Sequence, residues 1–234
     1  MVVVPAGSFW MGSRTTDPGS LNDEDPQHRV TFAQQFAVGR FELTFDEWDT
    51  CVAAQGCNGY RPSDGGWGRD RRPVINVSWD DAKVYVAWLS NYTRKTYRLL
   101  TEAEYEYATR AETETAYPWG NDIGKNNANC DGCGSQWDGK QTAPVGSFNP
   151  NGFGLYDMLG NVDEWTEDCW HETYNGAPMD GSAWTSGDCT RRVVRGGSWF
   201  GLPKFLRSAY RLWRVTHWRD RTLGFRVART LLPP

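Results

Sequence analysis

Tyr97-Arg-Leu-Leu-Thr-Glu-Ala-Glu104 holds both halves of the fold in one short stretch. Its first residues, 97–99, read as a strand. Thr101 and Glu104 then form a capping box: the hydroxyl accepts from the amide three residues on, and the carboxylate reaches back to the cap amide. A short helix carrying Tyr105, Tyr107 and Ala108 should follow. The same signature opens two more helices. Thr44-Phe-Asp-Glu47 starts one that runs to about residue 54, and Ser78-Trp-Asp-Asp81 starts another with Ala82, Tyr85, Val86 and Leu89 on one face. Working outward, short strands are expected at 2–5, 9–11, 29–32, 36–39, 74–76, 193–196, 205–211 and 224–229. Helices cluster early and strands fall at both ends, which is the α+β pattern. Residues 115–190 are rich in Gly, Asn, Asp and Trp, more irregular chain than a compact domain usually holds. No internal repeat or linker interrupts the chain, so it reads as a single domain over 1–234.

Composition narrows the class. The chain has 234 residues and a formal net charge of −4, and its mean hydropathy is −0.66. Its 13 Trp, 10 Tyr and 10 Phe exclude a disordered polar chain. Each ring can bury on the order of 150–250 Å². The mild acidity carries no nucleic-acid footprint. No run approaches the roughly 18 apolar residues of a membrane span, so this chain is not expected to insert in a bilayer. Met1-Val-Val-Val-Pro5 lacks the basic start and long apolar core of a secretory leader. That leaves location open between a cytoplasmic protein and part of a longer, exported or surface-displayed one. The six cysteines fall in sequence-near pairs: Cys51 and Cys57, Cys130 and Cys133, Cys169 and Cys189. Three local disulfides suit that spacing, with free buried thiols as the alternative. Zinc suits it poorly, because only one C-x-x-C exists and no histidine sits near a second pair.

Nine short motifs run along the chain in order: Pro5-Ala-Gly-Ser-Phe-Trp-Met-Gly12, Pro26-Gln-His-Arg-Val30, Pro73-Val-Ile-Asn-Val-Ser-Trp79, the stretch 97–104, Thr142-Ala-Pro-Val-Gly146, Asn151-Gly-Phe-Gly-Leu-Tyr-Asp157, Gly160-Asn-Val-Asp-Glu-Trp165, Arg195-Gly-Gly-Ser-Trp199 and Leu223-Gly-Phe-Arg-Val227. Together they resemble the formylglycine-generating-enzyme, or sulfatase-modifying-factor, domain family. The resemblance covers essentially the whole chain. It implies a C-type-lectin-like fold: a small twisted antiparallel sheet, two to three helices and much irregular loop.

The chemistry implied by the resemblance can be checked residue by residue. The family's oxidases bind Cu(I) with two cysteines shortly after the Gly-Gly-Ser-aromatic motif, since that soft ion prefers thiolates. Here no cysteine follows Cys189, so neither a copper site nor an oxidase is expected. The family's Gly-Asn-x-x-Glu segment implies a structural Ca²⁺ held by Asn161 and Glu164, with carbonyls of Gly160 and Val162. Asp163 stands where the family usually has Trp.

The stretch 200–222 departs most from the family. It keeps a frame of Trp199, Pro203, Leu206-Arg-Ser-Ala209, Arg211, Arg219 and Leu223-Gly-Phe-Arg226. Where many relatives place Asn, this chain has Phe200, Gly201, Leu202, Phe205, Tyr210, Leu212, Trp213, Arg214, Val215, His217, Trp218, Asp220, Arg221 and Thr222. That pattern is similar to the variable proteins of diversity-generating retroelements, which vary Asn codons on a C-type-lectin-like frame. Aromatic and Arg side chains dominate recognition hot spots, and large rings bring contact area at low entropy cost. The expectation is therefore a non-catalytic binding protein. These 14 residues would be its ligand face, and a protein or cell-surface molecule its partner; a formylglycine-generating-type oxidase is the alternative. Trp199, Leu206 and Phe225 are expected in the core, and the frame arginines Arg207, Arg211, Arg219 and Arg226 are expected to brace loops.

Overall fold

The computed structural model describes residues 1–231. All three expected helices form: α1 (Phe45–Ala53), α2 (Trp79–Thr93) and α3 (Glu102–Arg110). Each carries a complete capping box, from Thr44, Ser78 and Thr101. Ten short strands make three sheets. β1 (Val2–Val4), β4 (Phe36–Val38), β5 (Tyr97–Arg98) and β10 (Ala228–Thr230) form one sheet in the order β1-β4-β10-β5. All of its pairings are antiparallel. β2 (Gly7–Met11) and β3 (His28–Phe32) pair as an antiparallel ribbon. β6 (Asp163–Trp170), β7 (Asp188–Arg195), β8 (Arg211–Val215) and β9 (Leu223–Gly224) form the third sheet, with β8 and β9 at its edges.

Rings build the core. Trp48 of α1 stacks on Tyr85 of α2, and Phe225 meets both edge-on. A second cluster gathers Phe32, Phe36, Tyr107 and Leu155, and a third, small one holds Tyr117, Leu159 and Leu206 beside Cys130 and Cys133. All six cysteines pair as expected from spacing, in Cys51–Cys57, Cys130–Cys133 and Cys169–Cys189 bridges. Among the described residues no helix is long and apolar enough to cross a membrane.

Three strand expectations need correction. Residues 74–76 form no strand: the Val74 amide donates to Leu43 O, the Asn76 amide to Asp220 O, and Asn76 is left-handed at φ 59°. Residues 205–211 also form none, since Pro203–Leu206 is a 3₁₀ turn and the strand begins only at Arg211. The run 224–229 divides between β9 and β10, because Phe225 and Val227 turn their carbonyls to the Leu43 and Gly39 amides.

Candidate functional site

Gly196 and Gly197 end β7 and set the path of everything after it. Both have positive φ, 98° and 75°. A Cβ on Gly196 would stand 2.5 Å from Tyr105 Oη, and one on Gly197 would stand 2.8 Å from Phe205 O. Only glycine permits that approach. The chain then drops Trp199 into the core, edge-on to Trp67, with its indole N–H donating to Arg221 O at 3.1 Å.

The structure separates frame from interleaved residues by burial. Trp199 is 2% exposed, and Leu206 and Phe225 are fully buried. Three of the four frame arginines are buried, and all four hold a carboxylate: Arg207 on Glu24 (2.8 and 2.5 Å), Arg211 on Glu102 (2.7 and 2.8 Å), Arg219 on Asp81 (2.7 and 2.8 Å) and Arg226 on Glu164 (2.7 Å each from Nε and Nη2). Such two-pronged pairs fix geometry as well as charge. None of the 14 interleaved residues is buried. Phe200 is 58% exposed, Leu202 and Trp218 each 47%, and Trp213 38%.

The 14 do not all play the same part. Trp213 and Arg214 stand out from edge strand β8, and the Arg191 guanidinium lies over the Trp213 ring at 4.9 Å. Phe205 packs on Tyr210 with centroids 5.1 Å apart, and Lys204 Nζ lies 4.9 Å from the Phe205 ring. Leu212 leans on the main core cluster. Asp220 Oδ1 accepts from both the amide and the hydroxyl of Thr222 (2.9 and 2.7 Å), so these two residues lock a turn. Gly201 turns the chain, donating to Ser198 O and accepting from the Asp131 amide. Lys204, Trp67 and Arg191 belong to the surroundings of the face, though only their positions in space show it.

Beneath the face lies Asp163, the residue that replaces the usual Trp. Its amide donates to Thr222 O at 2.7 Å, while Oδ1 has no hydrogen-bond partner. Burial pushes its carboxyl up to about 7, against the pull of Arg214. Burial likewise pushes Tyr210 up to about 12, and the Asp163 charge adds to this.

The expected calcium ligands face other partners. Both Glu164 oxygens are held by Arg226, and Oε1 also accepts from Tyr105 Oη at 3.1 Å. Asn161 Oδ1 accepts from the Ala143 amide (2.7 Å), and Asn161 Nδ2 donates to Glu42 (2.7 Å). The Val162 amide donates to the same Glu42 at 3.1 Å, while Gly160 supplies a left-handed turn at φ 82°. As arranged, the Glu164 carboxylate is answered by the Arg226 guanidinium. Among the described residues no group of three or more His, Cys, Asp or Glu is placed to hold a metal.

The sulfatase-modifying factor enzyme 1-like domain family matches residues 1–231, and the chain belongs to it. It is 36% identical to mouse formylglycine-generating enzyme over 191 residues, 70% of this chain and 46% of that protein. It is also 36% identical to bovine inactive C-alpha-formylglycine-generating enzyme 2 over 177 residues, 67% of this chain and 50% of that one. The chain spans about half the length of these curated relatives. Among solved structures, PvdO from Pseudomonas aeruginosa superposes with a TM-score of 0.90 at 42% identity, covering 98% of this chain and 93% of that one. Treponema denticola variable protein 1 superposes at 0.78 with 24% identity, covering 98% and 94%, a likeness of fold. The α+β, C-type-lectin-like fold implied by the motifs is the one observed.

Proposed function

We propose that this family member is a non-catalytic ligand-binding protein, a diversified recognition surface on a rigid C-type-lectin-like frame, as in the variable proteins of diversity-generating retroelements. The observation that carries the reading is the partition along 199–226. Frame residues are buried or clamped to carboxylates, while Phe200, Leu202, Trp213, Arg214, Trp218 and Arg221 between them are exposed. Rings on a backbone already fixed lose little further entropy on binding. Every cysteine is tied in a disulfide and none follows Trp199 in the sequence, so no thiolate pair is free for copper. The partner in this reading is a protein or cell-surface molecule rather than nucleic acid.

Identity to formylglycine-generating enzymes favours an oxidase as the second reading. Relatives named as inactive reach the same level, however, so identity of this size does not separate the two. Incubation with Cu(I), oxygen and a cysteine-containing sulfatase peptide tests the choice: no formylglycine is expected, and turnover would overturn the proposal. The retroelement part predicts a reverse-transcriptase gene beside this one, with a near-copy of its 3′ end differing mainly at adenines. A neighbourhood with neither would remove it.

A further inference from the structure

Four guanidiniums behind the exposed segment share three carboxylates. Arg207 holds Glu24, Arg110 and Arg195 both hold Glu106 (2.8 and 2.5 Å), and Arg195 and Arg211 both reach Glu102 (3.6 and 2.7 Å). Two further acids stand near, Asp23 by Arg211 and Asp168 by Glu102.

Two of these arginines, Arg110 and Arg207, line a cavity of about 560 Å³ together with Ser13. All three are more than nine-tenths buried. Glu24 and Glu106 grip them from behind and do not line the cavity. Donors are left over on both arginines. Arg207 Nε has no partner, and Arg110 Nη1 has only a 3.4 Å contact to Thr115 O. Lys204, also lining the cavity, makes no ion pair among the described residues and adds a third positive charge. Asp17 and Glu114 oppose it there, though Asp17 already accepts from the Arg14 amide at 2.9 Å. Pro18, Ala116, Tyr117 and Ala209 supply an apolar wall. A concave site of this size, mostly apolar with a few fixed polar groups, suits a small molecule.

We propose that this cavity binds a small organic anion, a carboxylate on an apolar body about the size of an aromatic ring. The cavity borders the exposed segment at Lys204, but its binding of an anion does not depend on the reading of that face. The test uses the full, oxidised chain, with benzoate as probe and benzylamine as its cationic counterpart. Benzoate should bind saturably by calorimetry and raise the melting temperature; benzylamine should do neither. Lys204→Glu, at an exposed position, should weaken benzoate by roughly three- to fivefold, the size expected for one exposed charge. Ala116→Trp should fill the cavity and abolish binding; if that variant does not fold, Lys204→Glu decides alone. Absence of saturable benzoate binding would overturn the assignment, as would equal binding of benzylamine or unchanged affinity in Lys204→Glu.

Discussion

Replacing Phe200 and Leu206 by Ala, one at a time, tests the separation of face from frame most directly. The two side chains lie six positions apart, but Phe200 is 58% exposed and Leu206 fully buried against Tyr117, Leu159 and the Cys130–Cys133 bridge. Full burial of such a side chain is worth roughly 1.5–3 kcal/mol, so the hidden part of Phe200 is worth about 1 kcal/mol. Leu206→Ala adds a cavity to the lost transfer energy and should cost roughly 2–5 kcal/mol. For a chain of this length about 1 kcal/mol moves Tm by roughly 2–4 °C. Phe200→Ala should therefore shift Tm by about 2–4 °C and Leu206→Ala by roughly 4–20 °C. Differential scanning calorimetry on the two variants and the parent gives the comparison. A Phe200 loss as large as that of Leu206 would show the ring to be core and refute the exposed-face reasoning.

Three further outcomes are expected. Removing the Cys169–Cys189 bridge, which spans a sequence separation of 20, should cost about 3 kcal/mol by the chain-entropy relation; urea denaturation of the double Ala variant checks it, and an unchanged midpoint would refute it. Asp168 accepts from the Glu102 and Trp184 amides at 2.7 Å each, and burial, reinforced by the Glu102 charge, pushes its carboxyl up to about 7. An unfolded Asp titrates near about 3.9, so between these values the native state holds a proton that the unfolded chain has lost, and this contribution to stability falls as pH rises toward 7. Asp168→Asn should flatten that part of a Tm-against-pH curve, and an identical slope would count against the assignment. Finally, Arg226→Ala leaves Glu164 buried without its partner and should cost roughly 3–5 kcal/mol in a denaturation midpoint measurement. In the parent, EDTA should leave Tm unmoved, because Arg226 already supplies the positive charge; a fall restored by Ca²⁺ would return the ion to Asn161 and Glu164.

Local signals made the helices legible. Each capping box joins residues three apart, and all three appear as read. The four frame arginines were legible as braces, although their partners Glu24, Asp81, Glu102 and Glu164 lie far away in sequence. β6 was not legible. Asp163-Glu-Trp-Thr-Glu-Asp-Cys-Trp170 carries four acids, and strands are normally poor in such residues. Its neighbours answer three of those acids: Arg226 takes Glu164, Lys83 takes Glu167, and two backbone amides take Asp168. At 205–211, apolar spacing suggested alternation where Pro203 instead opens a 3₁₀ turn. The division of labour within 200–222 was legible as buried frame and outward residues. The turn-locking part of Asp220 and Thr222 was not, since it depends on a side-chain bond across two residues.

The first sheet places β4 between a strand from each end of the described chain, with Phe36 paired to Val4 on one side and Thr230 on the other. β5 has its ladder partner only in β10. A polypeptide halted anywhere in 200–222 therefore has no β9 or β10. It also lacks Phe225 to close the ring cluster on Trp48 and Arg226 to neutralise Glu164. Contacts this distant in sequence form only once the chain is whole. The outer residues of 200–222 thus lie upstream of the strands that close the first sheet, and that sheet is complete only when the chain has been made past them.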